Sequence, residues 1–298
     1  MKKLFLSFSL SSAVIVISSC DSESLTNDLH EVVDSTSTEV RDTSSNVRKI
    51  FYAIPSPIEL AQLIQGAGAS YNKNLLNDID NPSKYTSTHS KALNLGVYGS
   101  DLSYTSIFNQ TQESILYLRC ATKLSSGLGI AGAFTENTVD RMQANYGNQD
   151  SLLTIISDSY YAADEYLKDN QRENTSILVI AGGWIEGLYI ATQLVKSTTN
   201  NSGIITRIAE MKGSLENLVF LFESFGKEEG VTDLVTNLKA IKSVYDEMEP
   251  IDAETEVTTD SQKKITTIRG TSTYSLTPEQ LAKITLLAEK LRTKIIKV

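Results

Sequence analysis

The chain has 298 residues, 41% of them hydrophobic and 21% charged, with a net charge of -9. An acidic body of this kind lacks the clustered Lys and Arg that displace counterions from nucleic acid, which argues against such a partner. Two histidines and two cysteines leave little material for a nitrogen- or sulfur-ligated metal, so no metal or other cofactor is expected.

Met1, Lys2 and Lys3 make a short positive start, Leu4 to Ile17 is apolar apart from its serines, and Ile17-Ser18-Ser19-Cys20 follows. An apolar run too short to anchor stably, ending in small residues, describes a secretory signal rather than a structural helix. The four residues 17–20 resemble the lipobox of bacterial lipoproteins, in which an aliphatic and two small residues precede an acylated cysteine. The resemblance covers these first residues only. It implies removal of residues 1–19 and a lipid-anchored Cys20 with more than one fatty acyl chain, enough for stable anchoring where a single chain holds marginally. Loss of Lys2 and Lys3 would take the net charge to -11. Asp21 resembles an inner-membrane retention signal of enteric bacteria, whereas acids after the cysteine resemble a surface-export signal in other Gram-negative groups. Both addresses stay open here.

Residues 20–49 are rich in Ser, Thr, Asp, Glu and Asn and include His30. They offer too little apolar surface to offset the entropy of ordering, so a flexible acidic tether is expected between the lipid and a single domain over 50–298.

In that domain helix signals recur. Ser56-Pro57-Ile58-Glu59 is a capping box with proline in the first turn, and Gly66 and Gly68 close the helix it opens. Asn81-Pro82 predicts the start of a second helix, with Leu95, Tyr98, Leu102, Ile115 and Leu118 in one stripe and a break near Gly96 or Gly99. Cys120 lies in ILYLRCATKL as a small buried hydrophobe with no partner for a disulfide once Cys20 is acylated. Gly127, Gly129 and Gly132 formally match GxGxxG. That pattern cradles a pyrophosphate only after a strand, and here a helix precedes it, so a glycine-rich interhelical loop is expected.

Thr135 predicts the cap of a short helix ending at Gly147, and Asp150 the cap of a longer one carrying Leu152, Ile156, Tyr160, Ala163 and Leu167. Ser176 to Lys196 is apolar on nearly every side, with Glu186 the one acid or base between its ends. It approaches the length that spans a bilayer. A mid-run acid, three glycines (Gly182, Gly183, Gly187) and flanking amphipathic helices that would otherwise cover nothing favour the central helix of a soluble core.

Two amphipathic stripes follow, Ile205 to Phe225 and Leu234 to Met248. Between residues 251 and 276 threonine becomes frequent: Glu254 to Thr259 and Lys264 to Tyr274 read as two strands turned at Asp260-Ser261, or as a loop. Thr277-Pro278-Glu279-Gln280 caps a last helix with Leu281, Ile284, Ala288, Leu291 and Ile295 on one face. The expected class is all-α, a multi-helix bundle with antiparallel neighbours around a central apolar helix. An α-solenoid of helical repeats is the alternative, although no fixed-period consensus is found.

No HExxH, CxxC or G-x-S-x-G pattern is present. The candidate ligand-binding residues are Tyr98, Asp101 and Tyr104 in LGVYGSDLSY, and Trp184 and Glu186 in AGGWIEGLYI. Small residues let helices touch or leave a pocket, and an acid among them needs a hydrogen-bonding partner or a ligand. Tyr98, Tyr104 and Tyr189 are the expected partners of the two acids if the segments merely pack together. Three roles fit this reading: a membrane-anchored binding or scaffolding module for an envelope protein or a small-molecule ligand, an enzyme using Asp101 and Glu186 as acid and base, and a structural subunit of an envelope complex.

Overall fold

A computed structural model describes residues 53–130, 134–224, 231–251, 256–260, 265–269 and 273–297. The described residues all belong to the unit Asp42–Val298. The lipobox, Cys20, the expected tether and Gly132 lie outside them.

Among the described residues nine α-helices follow one another: α1 (Pro57–Gly66), α2 (Thr88–Ile107), α3 (Thr111–Gly127), α4 (Glu136–Ala144), α5 (Gln149–Asp169), α6 (Glu173–Ser197), α7 (Ser202–Ser224), α8 (Thr232–Asp246) and α9 (Pro278–Ile296). The class is all-α, a multi-helix bundle. From α2 to α8 short links make sequential helices neighbours, and α6 packs against α1, α2, α5, α7 and α9. It is the central helix, and 83% of its most apolar window is buried inside the protein. An apolar surface already wrapped by protein has no need of lipid to cover it.

Capping follows local chemistry at α1, α4 and α9, where Ser56, Thr135 and Thr277 each form a capping box. Elsewhere the boundaries differ from expectation. Asn81-Pro82 does not open a helix: residues 81–84 form a turn, and α2 begins only after Ser87, whose hydroxyl accepts from the Ser90 amide. Nor does the chain break at Gly96 or Gly99, both of which are helical. The break falls at Phe108 to Gln110, where Asn109 takes a φ of 58°, a conformation asparagine tolerates better than most residues. Asn148, not Asp150, caps α5, and its side chain accepts from the Ser151 amide.

Among the described residues of 250–274, the two expected strands pair antiparallel, and a second small pairing joins the ends of the segment. β1 (Pro250–Ile251) pairs with β4 (Thr273–Tyr274), and β2 (Glu256–Asp260) pairs with β3 (Ile265–Arg269). Asp260 lies opposite Ile265 at the end of that ladder, and Ser261 lies outside the described residues.

Candidate functional site

The two glycine-bearing segments singled out in the sequence meet face to face. A methyl group at Gly96 of α2 would lie 1.9 Å from the Val179 carbonyl oxygen of α6, and one at Gly182 would lie 1.9 Å from the Leu93 carbonyl oxygen. Only glycine permits backbones this close. Their small residues therefore serve helix contact, not a pocket, and α2 with α6 makes the most extensive helix pair in the domain.

That crossing brings Asp101 and Glu186 into one buried cluster, each with no solvent exposure. The Glu186 carboxylate accepts two hydrogen bonds from Arg292 of α9, from Nε and Nη2, both at 3.0 Å. Such a bidentate pair is the geometry that a guanidinium fork favours. Arg292 also donates from Nη2 to the Leu75 carbonyl at 3.1 Å, and its guanidinium carbon lies 4.6 Å from the centre of the Tyr189 ring. Burial disfavours the Arg292 charge, but attraction to Glu186 and their hydrogen bonds outweigh it and push the pKa above its ordinary value.

Asp101 is held differently. Its Oδ2 accepts from the Asn77 amide at 3.1 Å, while Oδ1 is buried without a donor from another group. Desolvation first, then the neighbouring Glu186 charge, raise its pKa well above the ordinary carboxyl value. The Arg292 charge and the Asn77 amide oppose that shift without cancelling it.

The other candidate residues are buried but point elsewhere. Tyr98 donates to the Asp78 carbonyl. The Tyr104 hydroxyl accepts from the Asn72 amide at 2.9 Å and donates to the Ser70 carbonyl at 3.2 Å, and its ring packs on Tyr71 and Phe108. Burial raises the Tyr104 phenol to about 12, against the opposing pull of the Asn72 amide. Trp184 turns to α7, where Nε1 donates to Ser214 Oγ at 2.8 Å. The expectation that Tyr98, Tyr104 and Tyr189 satisfy the acids is thus corrected. Two tyrosines bond backbone carbonyls, the third stacks on Arg292, and the acids take Arg292 and the Asn77 amide.

Sequence reasoning missed Arg292. The signal was present: it stands four residues after Ala288 and eight after Ile284, on the buried stripe of α9, where an unpaired arginine would be costly.

No protein-family model, curated protein or solved structure matches this chain. The cluster must therefore be judged on its own chemistry. Among the described residues no group of three or more His, Cys, Asp or Glu could hold a metal ion. An apolar groove lies apart from the cluster, between the start of α1, α5 and α6, with Ile54, Pro57, Tyr160, Tyr161 and Ile180 in its walls. Tyr98, Asp101, Tyr104, Trp184 and Glu186 do not line it. Gly127 ends α3, and Gly129 turns the chain with a φ of 68°, so in the described part GxGxxG follows a helix and not a strand.

Proposed function

We propose that this protein is a lipoprotein of a Gram-negative cell envelope. It is held in the membrane, most simply the outer membrane at its periplasmic or surface face, by acyl chains on Cys20. The helical domain acts as a binding or scaffolding module for an envelope protein or a small-molecule ligand. The single observation that carries this reading is Ile17-Ser18-Ser19-Cys20 behind a positively charged start and an apolar run. The burial of α6 supports it, because among the described residues the one helix apolar and long enough to span a bilayer is covered by protein, which leaves anchoring to the lipid. The groove beside Tyr161, which is 63% exposed, gives such a module an apolar surface to offer.

The carboxylate-enzyme reading draws no support from the geometry. Asp101 and Glu186 do stand together, but both are fully buried and tied to Arg292 and the Asn77 amide, out of reach of a substrate.

Metabolic labelling with a radioactive fatty acid tests the anchor. The wild-type chain should incorporate label and Cys20→Ala should not. A Cys20→Ala chain that still resists alkaline carbonate extraction would end the proposal. Detergent pull-down then separates a binding module from a purely structural subunit, since only the latter requires one partner in fixed stoichiometry.

A further inference from the structure

The Asp101, Glu186 and Arg292 cluster has two acids and one base, and nothing in the lipoprotein reading uses it. The fork of Arg292 is spent on Glu186 and the Leu75 carbonyl. Asp101 is fully buried beside the Glu186 charge, yet two carboxylates have no hydrogen to share, and Oδ1 of Asp101 is left with no donor. An ionised carboxylate is purely an acceptor; a protonated one has an O–H to give. One proton placed on Asp101 removes both defects, because Asp101 then donates to Glu186 and the cluster becomes neutral, with one guanidinium facing one carboxylate.

We propose that the folded domain carries Asp101 as the neutral acid, its proton shared with Glu186, so that this cluster is a pH-sensitive contact built into the centre of the fold.

Among the described residues, the charges that act on Asp101 most strongly are Glu186 and Arg292, and the other titratable groups around it are neutral. Tyr98 on α2, Tyr117 and Cys120 on α3, and Tyr160 on α5 bear on Asp101, and burial raises the pKa of each. Tyr189 on α6, with Tyr71 and Tyr85 in the segment before α2, are likewise raised, first by burial. All seven are therefore neutral at physiological pH, and the charged groups that face Asp101 are Glu186 and Arg292. Leu75 to Asp78 is fastened to the cluster and its surroundings. Its backbone is bonded by four core side chains: Arg292 at Leu75, Asp101 and Tyr117 at Asn77, and Tyr98 at Asp78.

The direction of the pH effect follows from linkage. The folded state keeps a proton that the unfolded chain releases above the ordinary value of 3.8. Stability from this group is complete below that value. It falls as pH rises towards the folded-state pKa and is level above it, by up to about tenfold in the folding equilibrium per pH unit.

The test uses the full chain in detergent, as wild type and as Asp101→Asn, whose amide can donate to Glu186 and accept from Asn77 much as the neutral acid does. Chemical unfolding is measured from about pH 5 to about pH 9. The expected result is that Asp101→Asn gains on wild type as pH rises, up to about tenfold per unit in the ratio of folding constants. Parallel profiles, or a wild type that gains with pH, would overturn the proposal. Infrared spectra of the wild type with 13C-labelled aspartate give a second answer even if the variant fails to fold. A protonated aspartic acid band at neutral pH is expected, and its absence would overturn the proposal equally.

Discussion

The segments Leu95–Tyr104 and Ala181–Ile190 look alike in sequence, each with glycines, an aromatic residue and one acid, and they are buried against each other. Their acids nevertheless live in different electrostatic surroundings. Glu186 is hydrogen-bonded by a cation that arrives from α9, 106 residues along the chain, whereas the hydrogen bond to Asp101 comes from a backbone amide. The difference teaches that a buried acid is defined by what the fold brings to it, not by its neighbours in sequence. With one arginine between them, the two acids cannot both be ionised without leaving a net charge in the core.

The comparison can be broken most severely at the arginine. Arg292→Leu should cost about 3–5 kcal/mol in chemical denaturation, because it strands Glu186 without its partner. A loss below about 1 kcal/mol would mean that the bidentate pair is not the cluster's anchor. Next comes the glycine contact that places the acids together. Gly182→Ala should cost about 1–3 kcal/mol, since the new methyl group meets the Leu93 carbonyl oxygen at 1.9 Å and the helices must part. A smaller loss, about 1–2 kcal/mol, is expected for Ser214→Ala, which leaves the buried Trp184 indole N–H without its acceptor. The change should also appear as a shift in the fluorescence of the single tryptophan. The smallest effect reverses sign. Gly213, in the middle of α7, has open space around its Cβ position, so Gly213→Ala should stabilise the domain by about 0.5–1 kcal/mol. If Gly182→Ala and Gly213→Ala proved equally harmless, the α2 and α6 crossing would not be as tight as described.

Much of the secondary structure was legible because it depends on short-range chemistry. The capping boxes at Ser56, Thr135 and Thr277 need residues three positions apart, and the apolar period of α8 and α9 needs only one face. The misplaced boundaries are those where contacts from distant parts of the chain overrode a local signal. Asn81-Pro82 reads as a helix start, yet six residues of turn and coil, 82–87, separate Asn81 from Thr88, because the segment is held by bonds from distant groups. Asn77 and Asp78 receive Tyr117 and Tyr98, and Tyr85 reaches the Ile296 carbonyl of α9. Gly96 and Gly99 read as a break because glycine is costly within a helix. Here close packing against α6 and Tyr160 offsets that cost.

By itself the sequence determined an all-α bundle, a central helix too apolar to stand in water, and two interior acids in need of partners. Periodicity and composition are properties of short stretches, and burial follows from them. Which partner each acid found was decided only by the tertiary structure. Arg292 is distant in sequence from Glu186, and an ion pair depends on distance in space. The same holds for the choice between a pocket and a contact at the glycines: small residues permit either, and the choice falls to the backbone laid against them.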